Sequence, residues 1–367
     1  KQLRGNVNTR IQKLVDGQYH GIVLALPGLE RLSQNDESAK EILPLLNDLT
    51  FIVLPTSIFP AAASQGALGI EYNGSRDDNG ELAKKIFEIH DHETAEEVKI
   101  EREHFQKFGG GCHLAVGITT RKVDNQIVTS MQGISENRVI SDLKIERKNP
   151  QNIQKAAKVF IGVNASTSKF LSDHLLKRIS ISWQCNEGSV KYVTTKYAIG
   201  NAHNLIDLKK SIVFTAGTKT WREMNKNGIW VYGSADGLGE QELNALKKSC
   251  FLKLITNNKI NSEWKVLTHP NGKTSLGRII AAYDSTIIPP TKSFAKKISK
   301  TEVFYWASYR QYKSYISEFP EIRTKIHCCG LGKTYQHFKS DNVEVIPFSG
   351  MNEFKKWTGL ERNKVTK

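Results

Sequence analysis

Acidic side chains are the scarce charge in this sequence: 37 Asp and Glu stand against 52 Lys and Arg, a net charge of +15 over 367 residues. Long apolar runs are missing altogether. None approaches the roughly 20 residues of a membrane-spanning helix, so no membrane partner is expected. Cysteine is sparse, with five residues scattered along the chain. An odd, dispersed set does not read as a disulfide framework and points to a reducing, cytoplasmic setting. No zinc-finger spacing, RNP motif or basic helix accompanies the positive charge, which argues against nucleic acid as the partner. The same field would serve a small polycarboxylate. What is present is a globular composition, 39% apolar and 24% charged, long enough for two or more domains.

The chemistry-bearing stretch runs from Glu101 to Gly117. Thr94-Ala-Glu-Glu97 reads as a capping box and predicts a helix from about Ala95 to Phe108. Gly109-Gly110-Gly111 end it and permit backbone geometry closed to other residues. Cys112 then falls on a tight loop before a strand, a position suited to a thiol carrying something bulky. The local pattern alone favours an ordinary buried cysteine.

Earlier in the chain, Ile11–Leu14 can begin a helix, Gly21–Leu26 reads as a buried strand, and Phe51–Leu54 reads as another. A helix is expected near 80–90 and an alternating strand at Gln126–Met131. His90, His92 and Glu93 have ligand chemistry but no second pair, so no metal is expected. After a polar, proline-bearing stretch at 148–157, which reads as a linker, the pattern becomes strand, helix, strand, helix. Lys158–Val163, Ser211–Thr218 and Asn227–Ser234 contain strands, and Ser166–Lys177 reads as a helix. Such alternation implies parallel α/β lobes. Gly332-Lys333-Thr334 is no phosphate loop, since its first glycine would fall at His327. Cys328-Cys329 has neither zinc nor redox spacing.

Several of these stretches resemble porphobilinogen deaminase (hydroxymethylbilane synthase). The opening, Leu3-Arg-Gly-Asn-Val followed by Thr9-Arg10, then Asp16 to Ala25, then Gly28 to Leu32, is similar to the family's second domain. The resemblance implies that Arg4, Arg10 and Arg31 face substrate carboxylates, for which the planar guanidinium is suited. Phe59–Glu71 resembles the family's crossover into its first domain, with Ser64 in place of a glycine, and makes Gln65 a contact. Glu101-Arg102 with Gly110-Gly111-Cys112 resembles the attachment signature. It implies a dipyrromethane cofactor held covalently at Cys112. His104, Leu114 and Ala115 depart from the family's apolar, β-branched and proline positions.

The second half resembles uroporphyrinogen-III synthase, more loosely and by order of elements. That likeness makes Tyr283 a proton donor to a departing hydroxyl. It also makes the turn before Lys333 a carboxylate site at a helix N-terminus.

The expected fold is α/β: a partial periplasmic-binding-protein-like domain and a small α+β cofactor domain, followed by a two-lobed α/β synthase-like domain. The expected boundaries are 1–58 for the second deaminase domain, 59–72 for the crossover, 73–150 for the third domain, 151–157 for the linker and 158–367 for the synthase-like part. A further domain carrying the catalytic aspartate is expected upstream. The implied substrates are porphobilinogen and hydroxymethylbilane, and a monomer is expected. The alternative is a non-catalytic tetrapyrrole-binding remnant lacking that first domain.

Overall fold

The computed structural model describes residues 3–75, 80–111, 114–147, 158–163, 171–185 and 188–359. Three helices open the chain: α1 (Val7–Val15), α2 (Leu26–Gln34) and α3 (Asp36–Leu46). Asn6 caps α1 by accepting from the Thr9 N–H, and Asn35 caps α3 by accepting from that of Ser38. Then come α4 (Glu81–Glu88) and α5 (His92–Lys107). The cap of α5 is Asp91, whose Oδ1 accepts from the Thr94 N–H at 2.7 Å, so the helix starts one turn before the expected capping box.

Strands β1 (Ala115–Val123), β2 (Gln126–Ser135) and β3 (Arg138–Ile145) form an antiparallel sheet in that order. Its hairpin turns are the left-handed pairs Asp124-Asn125 and Glu136-Asn137, whose twist matches that of the strands they join.

Next along the chain are β4 (Val159–Ile161), β5 (Leu171–Ser172), β6 (Leu176–Ser180) and β7 (Val190–Val193). They lead to α6 (Ala202–Lys209), β8 (Ile212–Thr215), α7 (Thr218–Lys226), β9 (Val231–Ser234), α8 (Gln241–Lys248) and α9 (Cys250–Ile255). β10 (Trp264–Thr268), β11 (Gly277–Ala281), β12 (Tyr283–Ile287) and α10 (Lys292–Ser299) follow. The last elements are β13 (Val303–Trp306), α11 (Tyr309–Glu318), β14 (Ile326–Gly330), α12 (Lys333–Ser340), β15 (Ile346–Phe348) and α13 (Met351–Trp357).

The chain forms two compact units, each drawing on both sides of residues 151–157. The first comprises residues 1–54 and 176–288. Its parallel sheet runs β11-β10-β7-β8-β9, and β6 pairs antiparallel with β12. Ile11, Leu29, Ile42 and Leu46 of the opening helices share one core with Val190, Phe214 and Trp264 of the sheet. Burying a large aliphatic side chain is worth about 1.5–3 kcal/mol, so the opening helices contribute substantially to this unit.

The second unit comprises residues 55–175 and 289–367. Its parallel sheet runs β15-β14-β13-β4-β5. All four residues of β13 are buried, as a parallel strand covered on both faces requires. The antiparallel sheet keeps a smaller core of Val116, Ile118 and Met131. Buried Glu353 of α13 ties that sheet to the parallel one. It accepts from the Ile145 N–H (3.0 Å), Arg147 Nη1 (2.5 Å) and the Ser349 N–H (2.7 Å).

Three expected elements differ. In residues 21–25, Ile22 and Leu24 pack on the core and Val23 is 76% exposed, but among the described residues no strand pairs with them. Residues 51–54 behave likewise, with Phe51 and Val53 inward and a bond from the Val53 N–H to the Tyr232 carbonyl (2.8 Å). The helix expected over 166–177 lies partly outside the described residues, and its end is strand: Leu171 and Ser172 pair with Phe160 and Ile161, and Leu176 opens β6.

Candidate functional site

In the second unit, α5 ends at Lys107 and the chain turns through Gly109, Gly110 and Gly111 at φ of 92°, 63° and 102°. Only glycine takes three such conformations in a row without strain. Among the described residues nothing lies within 4 Å of where a Cβ would stand on Gly109 or Gly110. The Leu114 N–H donates to the Gly111 carbonyl at 3.2 Å, closing the turn before β1. Cys112 itself lies outside the described residues.

A buried carboxylate anchors the turn's supports. Glu101, 7% exposed, accepts from the Thr120 N–H of β1 at 2.7 Å and from the Ser64 N–H of the crossover segment at 2.6 Å. Arg102 Nε donates to Ser64 Oγ at 3.2 Å. Ser64 has φ 66°, a left-handed conformation, which gives a physical reason for glycine in the resembling motif. The crossover also lies against the edge of β1. The Ile118 N–H donates to the Ala61 carbonyl (2.8 Å), and the Ala61 N–H to Thr119 Oγ1 (2.9 Å). A Cβ on Gly117 would stand 2.4 Å from the Pro60 carbonyl oxygen, so this crossing requires glycine. Gln65 is exposed on the same segment.

The departure at His104 has a structural reason. The ring is buried beneath the sheet, with Nε2 2.8 Å from Glu146 Oε1. Burial opposes ionisation of Glu146, but Lys144 and the His104 hydrogen bond outweigh it and hold its pKa below the ordinary carboxylate value. A polar pair thus replaces an apolar contact.

The three arginines belong to the first unit. Arg4 precedes α1 and is exposed; Arg10 lies on α1 and Arg31 in the last turn of α2. Arg10 Nε donates to the Gly5 carbonyl at 2.7 Å, and Lys13 Nζ to the Arg4 carbonyl at 2.9 Å. A Cβ on Gly28 would meet Val7 at 4.0 Å, so the first turns of α1 and α2 adjoin.

Tyr283 opens β12 in this unit, opposite Ser180 of β6, with its ring half-buried. The sequence reading missed its neighbour. His269 Nε2 lies 2.6 Å from Asp284 Oδ1, and Nδ1 accepts from the Asn271 N–H at 3.1 Å, so Nε2 carries the shared proton. The His269 ring stands edge-on to Tyr283, 5.9 Å between centroids. No spacing rule joins residues 269 and 284; only the pairing of β11 with β10 and of β12 with β6 brings them together.

The turn before Lys333 takes the expected form of strand, glycine and helix, with Gly332 at φ 79°. In the second unit the acceptor at this helix start is Asp124 of the β1–β2 turn, which accepts from the Gly332 N–H (3.2 Å) and from Gln336 Nε2 (2.8 Å). The rings of His90 and His92 lie 4.6 Å apart. Among the described residues no group of three or more His, Cys, Asp or Glu is placed to hold a metal ion.

A glycine turn held by a buried carboxylate in one unit, and helices bearing three arginines in the other, belong to a mixed α/β protein. Comparison with known proteins is more specific. Residues 1–81 match the family model described as porphobilinogen deaminase, dipyromethane cofactor binding domain. The chain is 35% identical over 128 residues to the porphobilinogen deaminase of Nostoc sp., covering 35% of each protein. It is 38% identical over 122 residues to that of Streptococcus sanguinis, covering 33% of this chain and 36% of the relative. With that of Oceanobacillus iheyensis it shares 33% over 158 residues, covering 43% and 47%. The chain thus spans between a third and a half of the length of these relatives.

Among solved structures, the uroporphyrinogen-III synthetase of Helicobacter pylori superposes with a TM-score of 0.36 at 11% identity, covering 52% of this chain and 92% of that one. A mutant uroporphyrinogen III synthase of Thermus thermophilus gives 0.34 at 10%, covering 56% and 100%. Likeness at that level speaks neither to activity nor to ligand. No described helix is long and apolar enough to cross a membrane.

Proposed function

We propose that this chain is part of a tetrapyrrole-biosynthesis enzyme in which a porphobilinogen deaminase is fused to a uroporphyrinogen-III synthase-like half. The observation that carries the reading is the match of residues 1–81 to the deaminase family model, followed by the glycine turn on its Glu101 anchor. In the deaminase reaction each porphobilinogen loses ammonia as its aminomethyl C–N bond breaks and a C–C bond forms to the growing chain. Four such additions and a hydrolysis release hydroxymethylbilane.

Cys112 would hold a dipyrromethane through a thioether. Among the described residues nothing crowds the Cβ positions of Gly109 and Gly110, which supports a bulky group on the residue that follows the turn. When bound, the group would supply the nucleophilic pyrrole carbon on which the first porphobilinogen condenses. Arg4, Arg10 and Arg31 pair with the acetate and propionate carboxylates, and Gln65 is a further contact. In the second half Tyr283 gives a proton to the departing hydroxyl as the bilane closes with loss of water. His269 and Asp284 lie beside it. The protein is read as a cytoplasmic monomer acting on small polycarboxylates, with no nucleic-acid or membrane partner.

Intact mass tests the attachment in the complete protein. An increment of one dipyrromethane should be present and should vanish in Cys112→Ser. An increment that survives the substitution moves the anchor to another residue and removes this role from Cys112.

A further inference from the structure

The chain contains four Asn-Gly pairs: Asn73-Gly74, Asn79-Gly80, Asn227-Gly228 and Asn271-Gly272. In such a pair the glycine nitrogen, with no Cβ beside it, can approach the carboxamide carbon of the preceding asparagine. Asn79 falls outside the described residues, and the other three pairs differ in their surroundings. The Gly228 N–H donates to the Asn225 carbonyl at 2.9 Å, and Asn227 Nδ2 to the Glu223 carbonyl at 2.7 Å. The Gly272 N–H donates to the His269 carbonyl at 2.8 Å. At these two pairs a hydrogen bond must break before the glycine nitrogen can attack.

Asn73-Gly74 lacks that restraint. Both residues are exposed, in the stretch between the crossover segment and α4. Among the described residues the Gly74 N–H has no partner, and nothing lies within 4 Å of where a Cβ on Gly74 would stand. Asn73 Oδ1 accepts from the Ser75 N–H at 3.0 Å. That bond closes a ring that includes Gly74, so it keeps the carboxamide close to the Gly74 nitrogen. It also draws electron density from Asn73 Cγ and stabilises the negative charge that develops on Oδ1 when this carbon is attacked, as an oxyanion donor does.

We infer that Asn73 is a site of spontaneous, charge-changing modification through a succinimide. The Gly74 nitrogen gives up its proton and bonds to Asn73 Cγ. The Cγ–Nδ2 bond breaks, and the amide nitrogen leaves with that proton as ammonia. Water then opens the ring. Cleavage of the new Cγ–N bond gives aspartate. Cleavage of the original backbone C–N bond gives isoaspartate, with the chain running through Cβ and Cγ. Either product adds a negative charge between the crossover segment and α4. No oxidant, metal or substrate takes part, so the step is independent of the tetrapyrrole reading.

The test is incubation of the folded full chain at mildly alkaline pH, with a parallel sample in urea, followed by mass spectrometry of tryptic peptides. Cleavage after Arg76 separates Asn73 from Asn79. Replacement of NH2 by OH raises the mass of the peptide that carries Asn73, and protein isoaspartate methyltransferase with S-adenosylmethionine labels its isoaspartyl fraction. In the folded chain Asn73 should convert at least about tenfold faster than Asn227 and Asn271, the effect on a barrier of freeing one hydrogen bond. In urea the three rates should converge, because the bonds that separate them are gone. Gly74→Val should slow conversion of Asn73 at least about tenfold, since a branched side chain obstructs the attacking nitrogen. Gly74 is exposed, so circular dichroism of this variant should match that of the parent. Equal rates at the three asparagines of the folded chain overturn the proposal, as does an unchanged rate in Gly74→Val.

Discussion

The carboxylate of Glu101 lies 2.6 Å from the backbone nitrogen of Ser64, 37 residues away in the chain. Its other oxygen takes the Thr120 N–H at 2.7 Å, so one buried side chain joins helix, sheet and crossover at the base of the glycine turn. Glu101→Gln puts an amide NH2 against one of those N–H donors. Leaving a buried donor unsatisfied costs about 1–3 kcal/mol. The urea midpoint should fall accordingly, and an unchanged midpoint would show that the crossover is held by other contacts.

Arg10 serves two purposes in the proposed enzyme. Its Nε holds the Gly5 carbonyl, and the rest of the guanidinium is left to meet a carboxylate. In the complete protein Arg10→Leu should slow pyrrole addition about 10- to 100-fold, the effect of losing a charge-assisted pair. The lost Gly5 bond should cost only about 1 kcal/mol of stability. Arg10→Lys, which keeps the charge without the fork, should fall between the two. Wild-type turnover in Arg10→Leu would return this residue to a purely structural role.

Tyr283 is best tested in the full chain. Ile11, Leu29, Ile42 and Leu46 form part of the core around Trp264, so cutting the chain at the linker would bare that core. With hydroxymethylbilane as substrate, Tyr283→Phe should lower the rate of type III uroporphyrinogen formation by about 10²-fold or more, the usual worth of a positioned acid. The circular dichroism spectrum should not change, because the ring remains. If the parent yields only the type I isomer, the second half is not a synthase.

His327 makes stability depend on pH. It is 4% exposed, and burial holds its pKa below the ordinary histidine value, with only the Arg323 carbonyl acting in the opposite direction. Nδ1 accepts from Trp306 Nε1 at 3.1 Å, a bond that exists only while the ring is neutral. The unfolded chain takes up this proton near pH 6.5, ahead of the folded one. Stability from this group is therefore full above pH 6.5 and declines as pH drops toward the folded pKa. His327→Phe should lower the melting temperature at pH 7.5, since Trp306 loses its acceptor, yet flatten the slope between pH 7 and 5. A slope as steep as the parent's would assign the acid sensitivity to other groups.

Several local elements were legible in the residues themselves. Gly109–Gly111 can be read as a helix stop because three glycines tolerate positive φ, and all three have it. The strand at Gln126–Met131 and the βα turns at Gly217 and Gly332 follow from local pattern and turn chemistry. Tertiary structure decided what needs a partner. Ile22 and Leu24 alternate with exposed Val23 as a strand would, but a strand also needs a neighbour for its N–H and C=O groups, and among the described residues no strand pairs with 21–25. His104 departs from an apolar motif in sequence and is explained only by Glu146, 42 residues on. His269 and Asp284 become a pair through strand order alone. Local pattern records how a side chain is buried and how the backbone turns. It does not record which distant group satisfies a buried charge, because that depends on how strands and helices from separate stretches come to lie together.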